Sequence, residues 1–458
     1  MTMFRRFLLF AVILSVSALT ACSSVSSNTV GTSKVIVFSD VHFNPFYDQA
    51  LFDSLVAADA TQWKGIFESS SISEPSTWGE DSNYPLFEQA LSSIKENSSS
   101  GSIAIFPGDI LVHDFETQFY KLYGSEDIEA MRSFLLKTAT FFAIEVRASL
   151  GSIPVMFTLG NNDSYEGDFQ IEPDSPFLAD TAEAFYTNFL KGTADHDAFL
   201  GTYRTGGYYS VSPLGSNLLV IALNSIFFSP KAASGTEEAA KAELDWFEMT
   251  LSSAASSGKK VWIVTHVPLG ANISSNRKLI DSSGHLDDAK MMWVDDYQSR
   301  FLNILSAYPD TVTMMFTGHT HMDEYRLPSC ALEITQGISP VDGNNPAYKI
   351  FSFDEDSFSI KNYVSFFYDL SELPGQFNGY YDFSASYLLN NIFLEGSLEE
   401  LLPLLKTDPV RQGFYRRYYY SGHDGDNPIT DANWPAYWCG ISEMSKEGYM
   451  DCVNSYGQ

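Results

Sequence analysis

The chain has 458 residues, 45% of them hydrophobic and only 18% charged, and acids outnumber bases 57 to 27 for a net charge of −30. That much apolar sequence can bury one large core or two. The acid excess argues against duplex nucleic acid as a partner, because that binding needs Lys and Arg to displace counterions; it fits an acidic extracytoplasmic protein.

A short basic start, Met1 to Arg6, precedes an apolar stretch over residues 7–19. The stretch is too short to span a bilayer and reads as a signal peptide. It ends in Leu19-Thr20-Ala21-Cys22, followed by a Ser-rich segment, 23–33. This resembles the lipobox of a bacterial lipoprotein. The resemblance implies that Cys22 is lipidated and becomes the first mature residue. One lipidated residue tethers a protein to the cell envelope without a spanning helix. Residues 1–21 are therefore expected to be a signal peptide and 22–33 a linker.

Between residues 34 and 365, short apolar runs alternate with helical patterns. The runs are 35–38, 103–106, 154–157, 218–221, 261–264 and 312–316. Each is rich in β-branched and aromatic residues and ends in Gly, Pro, Asp, Asn or His. They read as buried strands of a layered α/β fold. Helical periodicity covers 85–95, with Leu86, Phe87, Ala90, Leu91 and Ile94 on one face, and also 129–150, 236–251 and 297–305. Residues 351–367 alternate as a closing hairpin. The tail is aromatic-rich and reads as mostly helical. Ser397-x-x-Glu400 has the form of a capping box before Leu401-Leu402. The aromatic run 414–420 is expected to pack this subdomain onto the core. The division expected is a catalytic domain, 34–368, and a C-terminal subdomain, 369–458.

The strand ends carry the chemistry. The first is followed by Asp40-Val41-His42 and the second by Gly108-Asp109. The third leads to Gly160-Asn161-Asn162-Asp163, the fifth to His266 and the sixth to Gly318-His319-Thr320-His321. Strand C-termini in an α/β sheet share one edge, where ligands bind. Asp40, His42, Asp109, Asn161, His266, His319 and His321 should converge there, with Asp163 bracing its turn. Four imidazoles, two carboxylates and an amide oxygen form a thiolate-free N/O set suited to Mn, Fe or Zn. Seven ligands exceed one ion and suit two that share a carboxylate. Such a pair can hold a hydroxide and clamp phosphoryl oxygens for in-line displacement. Half of the eight histidines fall in these motifs; His196, His285 and His423 sit in polar loops and read as surface residues. No Gly-x-Ser-x-Gly or Gly-x4-Gly-Lys-Ser/Thr motif occurs, which excludes the usual serine hydrolase and phosphate-loop readings.

Three cysteines follow Cys22. Export favours disulfides. Cys439 and Cys452 close a short loop, where a bridge would contribute about 3 kcal/mol. Cys330 is then odd and reads as a buried thiol.

The order D-x-H, G-D, G-N, H, G-H-x-H resembles that of the calcineurin-like metallophosphoesterases. Further segments resemble their acid sphingomyelinase-like phosphodiesterase branch: Gly108-Asp109-x-x-x-His113-Asp114, Gly207 to Val211 leading to Leu223-Asn224-Ser225, Trp293-x-x-x-Tyr297, Gly318 to Tyr325, Ser339-Pro340 and Asn345-Pro346. Trp438-Cys439 with Cys452 resembles the C-terminal cap of that branch. The resemblance covers most of 34–458 and leaves no room for a saposin-like lipid-extracting module. It implies a β-sandwich flanked by helices and two divalent ions, Zn, Mn or Fe. The substrate implied is a small-molecule or lipid phosphodiester or phosphoanhydride. Asp40, His42, Asp109 and His321 would hold one ion, and Asp109, Asn161, His266 and His319 the other, with a metal-bridging hydroxide as nucleophile. A monomer is expected.

Asn162 departs from the pattern. The usual turn reads Gly-Asn-His-Asp/Glu, and its histidine is a favoured acid or transition-state contact. Asn at that place resembles endopolyphosphatase-like branches. An amide cannot protonate a leaving group, although it can donate a hydrogen bond to a phosphoryl oxygen. His113, four residues beyond Asp109, is the other candidate acid; its alternative role is to orient substrate or Asp114. Without the second acid, phosphoanhydrides, nucleotides and activated diesters are favoured over a lipid alcohol. The function expected is a two-metal phosphodiesterase. The alternatives are an endopolyphosphatase or nucleotide pyrophosphohydrolase, and a catalytically degenerate lipoprotein that serves as a binding module. The intact ligand set opposes the last, because unused buried carboxylates and imidazoles are costly. No basic groove for a polyanion is visible in the sequence.

Overall fold

The computed structural model describes residues 31–99, 102–213, 215, 217–423 and 428–457. The expected signal peptide, Cys22 and most of the linker lie outside them. The strands are β1 (Thr32–Val37), β2 (Ile103–Phe106), β3 (Val155–Phe157), β4 (Tyr209–Val211), β5 (Leu218–Ala222), β6 (Lys260–Val264), β7 (Val312–Thr317), β8 (Glu324–Arg326), β9 (Leu332–Ile334), β10 (Ala347–Asp354), β11 (Ile360–Tyr368) and β12 (Phe377–Asp382). They form two six-stranded sheets, ordered β12-β11-β10-β1-β2-β3 and β4-β5-β6-β7-β9-β8. β1, β2 and β3 run parallel, as do β5, β6, β7 and β9. Their C-terminal ends therefore share a rim.

The sheets pack face to face through large rings. Trp262 of β6 meets Phe353 of β10 edge-on at 5.0 Å, and Phe316 of β7 meets Phe351 at 5.4 Å. Helices cover the outer faces. On the first sheet, Phe142 from the helix Ile128–Leu150 lies 5.1 Å from Phe106. Against the second, Phe247 of Glu237–Ser256 stacks on Phe301 of Asp295–Ala307 at 5.1 Å. Both faces of the central strands are thus covered, so every residue of β2 and β3 is buried. That explains their unbroken apolar runs. Each fully buried Phe, Leu or Val contributes about 1.5–3 kcal/mol.

The C-terminal region is helical over Phe383–Tyr387, Leu394–Thr407, Pro409–Tyr419, Trp434–Ser442 and Lys446–Ser455. It begins, however, inside the first sheet, because β12 pairs with β11. Tyr381 of β12 stacks on Tyr418 at 3.9 Å and locks the helices to that edge. The capping box at Ser397 does not form. Ser397 lies within the helix, its hydroxyl donating to the Asn391 carbonyl at 3.3 Å, and Phe393 is the N-cap. Leu394, Leu398, Leu401 and Leu405 are all buried, and this stripe starts the helix one turn earlier than the polar signal suggests. A disulfide joins Cys439 to Cys452 across the last two helices. Cys330 is free and buried, and burial pushes its thiol pKa up. Among the described residues, no helix is long and apolar enough to cross a membrane.

Candidate metal centre

Asp40, His42, Asp109, His319 and His321 all adopt left-handed backbone conformations, with φ of 50°, 44°, 62°, 76° and 62°. A residue with a Cβ seldom sits there, and doing so costs about 1–3 kcal/mol. Each marks a sharp turn just beyond a strand, and the strained positions coincide with five of the seven expected ligands. Backbone hydrogen bonds lace the turns together. The Asp40 N–H donates to the Gly108 carbonyl at 3.0 Å, and the His42 N–H to that of Asp109 at 3.1 Å. Glycine is required where the second and third turns touch. A Cβ on Gly160 would lie 2.0 Å from Asp109 Oδ1.

Asp163 holds these two turns in register. Its carboxylate accepts the N–H groups of Gly160 (2.8 Å), Asp109 (3.0 Å), Ile110 (2.8 Å) and Leu111 (3.2 Å). This is the bracing expected of it, extended to the neighbouring loop.

All seven expected ligand side chains meet, and the distances sort them into two groups. His42 Nε2 lies 3.1 Å from His321 Nε2, and His321 Nε2 lies 3.7 Å from Asp40 Oδ1. Asn161 Oδ1 lies 2.9 Å from His266 Nε2 and 2.8 Å from His319 Nδ1. Asp109 Oδ2 stands between the groups, 3.3 Å from both His42 Nε2 and His266 Nε2.

The donor chemistry fits cations. His42 and His266 present Nδ1 to the carbonyls of Leu111 and Pro107, each at 2.9 Å, and His321 presents Nδ1 to that of Ser339 at 3.3 Å. Nδ1–H donation leaves a lone pair on each Nε2. Burial, with the rings of His113 and His321 alongside, pushes the His42 pKa down to about 3 despite Asp109, so this ring is neutral. Lone pairs 3.1 Å apart repel unless a cation lies between them. The Asn161 amide nitrogen donates to Asp168 Oδ1 at 2.7 Å, which points its oxygen at the histidines. In the first group acceptor meets acceptor, as around bound metals. In the second, burial disfavours charge on His266, but the charge and hydrogen bond of Asp109 outweigh it and push the pKa up to about 9; a bound cation would displace that proton.

Three expectations need correction. Asn162 does not present its amide to the pocket. Its backbone N–H and Nδ2 donate to Asp109 Oδ1 and Oδ2 at 2.8 and 3.1 Å, because a buried carboxylate is the stronger acceptor within reach. Asp114 is exposed and makes no side-chain hydrogen bond among the described residues; the partner of His113 is Asp81. His113 Nδ1 lies 3.0 Å from Asp81 Oδ1, and its ring stacks on His42 at 4.1 Å. Burial disfavours charge on His113, but the hydrogen bond and charge of Asp81 outweigh it and push the pKa up to about 9; cations beside His42 would oppose that rise. His423 is no plain surface residue. It stacks on Trp78 at 4.1 Å and lines the pocket.

The pocket over these groups has a volume of about 760 Å³. Asp109, His113, Asn161, His319 and His321 line its floor, and Trp78, His423, Lys231, Arg277, Lys278, Tyr419 and Tyr420 line its walls. Sequence reasoning missed Asp81, Asp168, the Trp78–His423 pair and the three cations. Only Asp81 carried a local hint, because it stands two residues before Asn83, which caps the helix Tyr84–Asn97.

The sequence model described as calcineurin-like phosphoesterase matches residues 33–323. Human cyclic GMP-AMP phosphodiesterase SMPDL3A is 23% identical over 442 residues, which cover 91% of this chain and 88% of the relative. Sphingomyelinase phosphodiesterase D of Dictyostelium discoideum is 24% identical over 428 residues, covering 86% and 89%. Human acid sphingomyelinase-like phosphodiesterase 3b is 22% identical over 446 residues, covering 92% and 90%.

Proposed function

Because this chain belongs to the calcineurin-like phosphoesterase family, we propose that it is a two-metal hydrolase of the acid sphingomyelinase-like branch, cleaving phosphodiester or phosphoanhydride bonds. The observation that carries this is Asp109 Oδ2, equidistant at 3.3 Å from an imidazole of each group, on the floor of an open pocket. Asp40, His42, Asp109 and His321 would hold one divalent transition-metal ion, and Asp109, Asn161, His266 and His319 the other. Such a pair supplies Lewis acidity at the phosphoryl oxygens and lowers the pKa of a water. The protein does the rest. Asn162 fixes the rotamer of Asp109 through two hydrogen bonds. Asp81 occupies His113 Nδ1, which leaves Nε2 to carry the proton for the leaving oxygen.

Relatives named for cyclic GMP-AMP and for sphingomyelin support a phosphodiester substrate. Charged and polar groups dominate the pocket walls, which favours a soluble anionic substrate over a lipid. The complete ligand set speaks against a binding module without catalysis. We also propose that the protein is a monomer, tethered to a bacterial cell envelope through lipid on Cys22.

Metal analysis and a substrate panel with Mn or Zn test the reading: an aryl monoester, an aryl diester, ATP, polyphosphate and sphingomyelin. Hydrolysis of the diester or an anhydride is expected, with metal bound. Fewer than one transition-metal ion per chain, or activity on the monoester alone, overturns it.

A further inference from the structure

The pocket gathers cations in a chain poor in them, beside its acids Asp109, Asp168, Glu324 and Asp342. In a protein of net charge −30, Lys231, Arg277 and Lys278 all line it. Lys231 Nζ sits 4.6 Å above the ring of Phe169, and that ring meets His319 edge-on at 5.8 Å. Lys231 therefore borders the group formed by Asn161, His266 and His319. Arg277 directly follows the short helix Ile273–Asn276 and is half-buried. None of the three forms an ion pair among the described residues.

No acid of the pocket is ion-paired with them among the described residues. Asp168 accepts from Asn161, and Glu324 accepts from Tyr419 and lies 3.7 Å from Arg326. Asp342 sits on the wall beside Gly343, whose carbonyl is bonded to His423. A half-buried guanidinium without a counter-ion has lost hydration and gained nothing in return; its planar fork can take a phosphate bidentately. The scissile phosphate already has the metal centre at the floor.

We propose that Lys231, Arg277 and Lys278 form a subsite for a second phosphate group, adjoining the one that is cleaved. This rests on the hydrolase reading above and narrows it. The substrates are linear phosphoanhydrides, from a nucleoside polyphosphate or from inorganic polyphosphate, in preference to esters with one phosphate. Arg277 gives the specificity, and the two lysines raise the local concentration of polyanion.

The test uses the metal-loaded full chain and three probes: ATP, inorganic tripolyphosphate and bis(p-nitrophenyl) phosphate. For Arg277→Ala, the ratio of kcat/KM on the better anhydride to that on the diester should fall at least tenfold, mostly through KM. Arg277→Lys should restore part of it, and Lys278→Ala should lower it less. The same pattern confined to ATP identifies a nucleotide source, and on tripolyphosphate an inorganic one. An unchanged ratio overturns the subsite, provided metal content and thermal midpoint match those of the parent. Cleavage of the diester alone also overturns it and leaves the hydrolase standing. Cleavage of none of the three defeats the hydrolase reading, and the subsite with it.

Discussion

His113 Nδ1 lies 3.0 Å from Asp81 Oδ1, and the same carboxylate oxygen accepts the Ser339 hydroxyl at 3.1 Å. The Asp81 Oδ2 atom also accepts the backbone N–H of His113 at 3.1 Å. Asp81 therefore sets both the position and the tautomer of His113. With Asn162 bonded to Asp109, His113 is the side chain on the pocket floor suited to protonate a leaving group.

Asp81→Asn should thus act through the leaving group. It removes the charge that favours protonated His113 but keeps the side-chain shape. For a substrate with an alkoxide leaving group, kcat should fall roughly 100-fold, the low end of general-acid contributions. For one with a nitrophenolate it should fall only a few-fold, since that group leaves without a proton. Equal losses on both would make Asp81 a scaffold residue rather than a positioning one.

Asp168 should control the metal proposed at Asn161. Its carboxylate fixes the amide at 2.7 Å. In Asp168→Ala the amide is free to turn its nitrogen toward the histidines. Metal affinity at that position should drop about 10–100-fold, as for other groups that orient ligands. Dialysis against dilute chelator followed by metal analysis should find about one ion fewer per chain than in the parent. Unchanged retention would mean that His266 and His319 alone define the site.

Much of this architecture was legible because strand ends carry punctuated motifs. All six runs read as strands form, and their terminal Asp, Asn and His converge because parallel strands share a C-terminal rim. The ligand order needed no contact information. What stayed hidden was set by three-dimensional paths. Asp81 and His113 are 32 residues apart, joined by loops whose course no periodicity reports. Lys231 and Arg277 line one pocket only because separate loops border it, and Trp78 finds His423 from the far end of the chain. β4, β8 and β9 have three residues each, too few to show alternation. At Ser397 a local capping signal lost to a buried leucine stripe, which is tertiary packing overriding propensity.

Asp163 should matter to stability as well as to the site. Four N–H groups point at its two oxygens. Asn would turn an NH₂ toward at least one of these donors and leave buried N–H groups unpaired. Each such loss costs about 1–3 kcal/mol, so Asp163→Asn should lower unfolding stability by about 3 kcal/mol. Urea titration of the metal-free protein checks this without interference from metal binding. A change below about 1 kcal/mol would show that the turns hold their register without the carboxylate.

Glu243 supplies a pH-dependent prediction away from the metals. It is buried in the helix Glu237–Ser256; Oε1 accepts the Asn224 N–H at 2.6 Å, and Oε2 has no partner. Burial pushes its pKa well above the ordinary carboxylate range, despite that hydrogen bond. The unfolded chain releases this proton above about pH 4.3, whereas the folded protein keeps it. Its contribution is therefore fully present below that pH and declines as pH rises toward the folded pKa, by up to about 1.4 kcal/mol per unit. Glu243→Gln keeps the acceptor for Asn224 and does not titrate. The stability of the variant relative to the parent should therefore increase steadily from pH 4 to pH 7 in urea titrations, while at pH 4 the two differ little. A difference independent of pH would mean that Glu243 is ionised in the folded protein and finds a donor for Oε2.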